Sequence, residues 1–129
     1  MSVLVDTSVW SMALRIKASE NIFLQRLIKT NQVRIIGAIR QELLSGIKDV
    51  IQFKRLRKNL EAFPDIPISS FQYVKAAELY NTCRSKGIQA SHIDFLIAAV
   101  AIEQGLGLYT YDKDFENIAR VVPLELYQP

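Results

Sequence analysis

The chain has 129 residues, half of them apolar and 22% charged, with a formal net charge of +3. That composition fits one globular domain, 1–129, able to bury about two thirds of its unfolded surface, and excludes a disordered chain. No apolar run nears the roughly 20 residues of a membrane-spanning helix, and no basic segment of a signal peptide precedes Val3.

The first predicted element is a compact strand, Val3-Leu4-Val5, ending on Asp6. Residues 20 to 31 place Ile22, Phe23, Leu27 and Ile28 at helical spacing. A second strand, Val33-Arg34-Ile35-Ile36, leads to helices around 38–47 and 50–62. Pro64 and Pro67 bracket a short third strand with Ile66 and Ile68. Ser69 or Ser70 can cap a helix from Phe71 to about Lys86, which Gly87 stops.

Residues 93 to 102 are apolar nearly all round apart from Asp94, the pattern of a buried helix. Gly105 and Gly107 end it before a strand, 107–111, and 121–127 supplies a last strand held to a sheet edge by Pro123. The alternation is that of an α/β domain with a mostly parallel central sheet of four to five strands flanked by helices. Cys83, the single cysteine, has no partner for a disulfide and no His or Cys at ligand spacing, so it is expected in the core of a protein of the reducing cytoplasm.

Open parallel sheets bind ligands at the carboxyl ends of their strands, where strand order reverses. Asp6, Asp112 and Asp114 follow strands directly, Asp94 lies in the first turn of the buried helix, and Glu42 lies in the first helix after strand two. Each acid has an ordinary reading. Asp6 can cap a helix, Ser91-His92-Ile93-Asp94 fits a capping box, Asp112 and Asp114 suit turn and cap positions before Phe115, and Glu42 suits an exposed helix face. None of these readings requires all five to meet at one sheet edge. Carboxylates about 4 Å apart repel by roughly 4 kcal/mol at an effective dielectric near 20, so such a group takes up protons or binds a cation. Oxygen ligands select Mg²⁺ or Mn²⁺ over zinc, and one or two such ions suit phosphodiester chemistry. The lone His92 offers no zinc set and is expected on the surface of the helix's first turn.

The segments VLVDTSVW, IRQELLSG and SHIDFLIAAVAIEQGLGLYTYDKDF resemble those of PIN-domain ribonucleases, and within them the VapC-type toxins of bacterial and archaeal toxin–antitoxin pairs. The resemblance covers essentially the whole chain and implies a single PIN-like domain. It is most specific at Asp6-Thr7-Ser8, Asp94 to Ala99 and Thr110 to Phe115. It implies a catalytic set of Asp6, Glu42, Asp94 and Asp112, with Asp6, Asp94 and Asp112 as ligands of Mg²⁺ or Mn²⁺ and Ser8, Thr110 and Asp114 as supporting groups. It also implies an RNA substrate, a small antitoxin covering the acidic crevice and an adjacent helical groove, and a homodimer. Trp10, Met12 and Leu14 are candidates for that groove, and equally for the core.

Other metal-using folds fit less well. A receiver domain needs an acidic pair after strand one and an Asp after strand three, where this chain has Ser69-Ser70. A dehalogenase-type phosphatase needs Asp-x-Asp where this chain has Asp6-Thr7-Ser8, and a Toprim-like nuclease needs Glu at position 6. A non-catalytic PIN-like module binding RNA or protein is the alternative from another class, and the intact acids argue against it. In the run FKRLRKNL, Phe53, Leu56 and Leu60 form an apolar stripe, while Lys54, Arg55, Arg57 and Lys58 make either a solvated face or an RNA-phosphate contact. No aromatic spacing indicates a stacking platform for bases.

Overall fold

The computed structural model describes residues 1–15 and 21–129. The central strand is β1 (Val3–Val5), with β2 (Val33–Arg34) on one side and β3 (Gly107–Tyr109) on the other, both parallel to it. Register pairs Val3 with Val33 and Gly107, Leu4 with Arg34 and Leu108, and Val5 with Tyr109. All three residues of β1 are buried, as a strand covered on both faces requires. Chain order reverses at β1, so its carboxyl end is the switch point of the sheet.

The helices are α1 (Thr7–Arg15), α2 (Ile22–Lys29), α3 (Gly37–Ser45), α4 (Val50–Leu60), α5 (Ser70–Ser85), α6 (His92–Gln104) and α7 (Lys113–Ala119). Helix α6 runs through the core, burying Phe95 through Val100 and Ala101, and Gly105 ends it in the left-handed conformation (φ 66°) that glycine adopts without strain. It packs along α5, whose cap is Ser69: the Ser69 N–H and hydroxyl both donate to Gln72 Oε1, and Gln72 Nε2 donates to Glu103 of α6. Cys83 is fully buried on α5, where burial pushes its thiol above the ordinary range.

The parallel sheet flanked by helices is as expected, but its edges are thinner than four to five strands. The anticipated third and last strands are each a single bridge, Ile35 with Asp65 and Leu108 with Leu126. Proline explains both. Ile66 N–H reaches Ile35 O at 2.9 Å, but Pro67 has no N–H to extend the ladder. At the other edge Leu108 N–H donates to Glu125 O and Tyr127 N–H to Leu108 O, while Pro123 denies pairing further back. Arg40 pins the Asp65 edge instead, donating to Asp65 Oδ1 and to the carbonyls of Leu60 and Phe63.

On α2 the buried residues are Leu24 and Leu27, while Ile22, Phe23 and Ile28 are exposed. The predicted helix start at residue 20 lies outside the described residues; within them Asn21 is the cap, accepting Leu24 N–H at 2.8 Å. Among the described residues no helix is long and apolar enough to cross a membrane.

Candidate active site

Asp6 sits at the carboxyl end of β1, where its N–H donates to Tyr109 O (2.9 Å) and prolongs the ladder to β3 by one rung. It is a buried charged residue, 6% exposed. The hydroxyls of Ser8 (2.8 Å) and Thr110 (2.9 Å) and the Ser8 N–H (3.4 Å) all donate to Asp6 Oδ2. Three donors satisfy the buried charge through one oxygen, and among the described residues none donates to Oδ1.

The same device recurs at the other acids. Asp94 stands at the third position of α6 in a full capping box: its N–H donates to Ser91 Oγ (3.1 Å), and Ser91 N–H donates to Asp94 Oδ2 (3.2 Å), leaving Oδ1. Asp112 caps α7, with Asp114 N–H donating to its Oδ1 (2.9 Å) and Oδ2 left over. The capping readings of Asp94 and Asp112 are therefore both correct, and each uses only half of its carboxylate.

Carboxylate oxygens of Asp94, Asp112 and Asp114, all half-buried, lie within 4.8 Å of one another. Asp6 lies near enough for its charge to act on Asp94. Burial holds the Asp94 carboxyl above the ordinary carboxylate range; the Ser91 bonds pull it back, and the charges of Asp112 and Asp6 push it up again. A short relay also joins the two acids that end strands, because Asp112 N–H donates to Thr110 Oγ1 (3.0 Å) and Thr110 donates to Asp6. Oxygen-only donors in a crowded anionic group fit a hard divalent cation.

Asp114, expected as a supporting group, thus stands in the compact carboxylate set, and Ser8 and Thr110 occupy the supporting positions around Asp6. Glu42 is exposed on α3 and is not one of the three carboxylates brought together. Lys54, Arg55, Arg57 and Lys58 are exposed on α4, whose Leu56 and Leu60 are buried as the stripe predicts. Trp10 belongs to the core, edge-on to Phe63, whereas Met12 and Leu14 are exposed. His92 is exposed at the start of α6 and stacks on Tyr80 (4.9 Å between centroids).

Beside Asp112 lies a feature that no spacing in the sequence signals. Tyr111 N–H donates to Ser8 Oγ (3.0 Å), and Asn21 Nδ2 donates to the Tyr111 hydroxyl (3.1 Å). Tyr109, behind it, is buried, and burial with the Tyr111 contact pushes its hydroxyl up to about 12.

The profile of the PIN domain matches residues 3–121. The ribonuclease VapC11 of Mycobacterium tuberculosis is 31% identical over 128 residues, covering 95% of this chain and 96% of that protein. Among solved structures, VapBC2 of Rickettsia felis, bound to a DNA fragment of its promoter, matches with a TM-score of 0.81 and 24% identity over 98% of both chains. A toxin–antitoxin complex of Klebsiella pneumoniae matches with a TM-score of 0.65 and 28% identity, covering 97% of this chain and 100% of that one. Aspartates at the ends of β1 and β3 and at the head of α6, on a sheet that reverses at β1, are thus set in a fold and a sequence shared across these proteins: the chain belongs to the PIN-domain family.

Proposed function

We propose that the protein is a metal-dependent endoribonuclease acting as the toxin of a type II toxin–antitoxin module. The convergence of Asp94, Asp112 and Asp114 next to Asp6 carries this reading. It is supported by relatives named as VapC ribonucleases and by the VapBC and toxin–antitoxin complexes among similar structures. A non-catalytic binding module gives no reason to crowd four aspartates at one strand switch.

Asp6, Asp94 and Asp112 would hold Mg²⁺ or Mn²⁺ through the oxygens their hydrogen bonds leave over, with Asp114 completing the anionic wall. When bound, the ion supplies water activation and neutralisation of charge on a phosphodiester. Ser8 and Thr110 fix the Asp6 rotamer through their hydrogen bonds to Oδ2, and Ser91 does the same for Asp94. Glu42, exposed on α3, is assigned a catalytic role without being one of the compact carboxylate set. The exposed cations of α4 add sequence-independent attraction for the RNA backbone. For the antitoxin, the fitting surface is the groove between α1 and α4, where exposed Leu14 lines a cavity with Ile47 and Leu56. The working form is a homodimer in the cytoplasm.

The test is RNA cleavage by purified protein with Mg²⁺ or Mn²⁺, then with EDTA. Metal-dependent cleavage is expected. Equal cleavage in chelator removes the metal mechanism, and no cleavage of any cellular RNA returns the chain to the binding-module reading.

A further inference from the structure

We propose that the cavity beside Asp112, walled by Tyr111 and Tyr127, receives one nucleobase of single-stranded RNA next to the phosphodiester that is cut; this rests on the nuclease reading. The cavity has a volume of about 320 Å³ and lies between the end of β3, the start of α7 and the C-terminal bridge. Three tyrosines without pattern in the sequence meet there. Tyr109 contacts Tyr111 edge-on (5.8 Å, 83°) and Tyr127 at a tilt (5.1 Å, 55°). Tyr111 is 50% exposed yet tethered at both ends, through its backbone N–H to Ser8 and its hydroxyl to Asn21. A half-exposed ring already held in place stacks a base with little ordering cost.

The chemistry of the walls selects the occupant. Among the described residues no lysine or arginine lines the cavity, and the charged side chains there are Asp112 and Glu116, which repel a phosphate. Glu116, with Gln128, offers acceptors to the amino group of adenine, cytosine or guanine, which uracil lacks. The cavity shares one wall residue with the carboxylate group. Asp112 belongs to both, and Thr110, which also lines it, donates to Asp6. A base seated here therefore holds its adjoining phosphate at the acids.

The test uses fluorescein-labelled single-stranded RNA oligonucleotides with one abasic or uracil substitution at successive positions. Binding is followed by anisotropy in EDTA, and cleavage by kcat and KM with Mn²⁺. Tyr111→Ala is expected to weaken binding and raise KM about tenfold, within the range of one lost base–aromatic stack, with kcat nearly unchanged. Tyr111→Phe keeps the ring but loses the Asn21 tether, so it should fall between the parent and Tyr111→Ala, closer to the parent. An abasic substitution at one position next to the cut should cost the parent the same factor and cost Tyr111→Ala nothing more. Parental KM and binding in Tyr111→Ala overturn the proposal, as does a Tyr111→Phe loss equal to that of Ala. RNA binding unchanged while a co-expressed antitoxin is lost assigns the cavity to a protein and also overturns it. If the parent shows the Tyr111-dependent binding but cuts no RNA, the base site stands and the nuclease reading falls; if it neither binds nor cuts, both fall.

Discussion

Thr110 Oγ1 donates to Asp6 Oδ2 at 2.9 Å, joining the ends of two neighbouring strands that are 104 residues apart in the chain. The same hydroxyl oxygen accepts Asp112 N–H, so one threonine orients an acid on each strand. Thr110→Val keeps the branched shape and removes both functions. A hydrogen bond to a charged group contributes about 1.5–3 kcal/mol, so a stability loss near that size is expected, together with a larger fall in RNA cleavage. Thr110→Ser should restore most of both. Urea melts alongside cleavage rates check this, and a Val variant with parental cleavage sinks the positioning role.

Asp94→Asn separates a metal ligand from a helix cap. Asn still accepts the Ser91 N–H, so the cap survives. Because the Asp94 carboxyl is raised above its ordinary 3.8, mainly by burial, its ionised form is disfavoured in the fold. The sign follows: its favourable contribution is complete below the unfolded value and is lost as pH rises through the folded one. In EDTA, Asp94→Asn should therefore melt at or above the parental temperature at neutral pH, with the gap closing below pH 3.8. Added Mn²⁺ should stabilise the parent far more than the variant. Cleavage should fall by orders of magnitude; cleavage at the parental rate would place the active site elsewhere.

Glu42→Gln probes the acid that is not one of the compact carboxylate set. Exposed on α3 and outside the compact carboxylate set, Glu42 is expected to affect chemistry without holding the ion. Cleavage should drop by about a hundredfold, the low end for a group that transfers a proton, while the Mn²⁺-induced rise in melting temperature stays parental. A lost metal response would make Glu42 a ligand, and an unchanged rate would make it an ordinary surface acid.

Helix α4 gives a salt-dependence prediction. Replacing Lys54, Arg55, Arg57 and Lys58 with Gln should weaken RNA binding and lower the log–log salt slope by about 0.7 for each phosphate contact removed from a single strand. Metal-induced stabilisation should not change. The same slope in parent and variant would leave these cations as a solvated face.

Much of this protein is written locally. The all-round apolarity of 93–102 determines a buried α6, the Ser91–Asp94 spacing determines its cap, and stripes at helical spacing determine which face of α4 points inward. These are legible because helical periodicity and capping act between residues three or four apart. Placing Asp6, Asp94, Asp112 and Asp114 at one sheet edge needs only the parallel order of strands and helices. What the chain does not declare locally is which oxygen each aspartate keeps free, that Asp114 joins Asp94 and Asp112, and that Tyr109, Tyr111 and Tyr127 line one cavity. Those outcomes depend on the register that sets Val5 against Tyr109 and on the bridge of Leu108 to Leu126. A shift of one residue in either pairing turns every side chain to the opposite face, so only the packed sheet decides them.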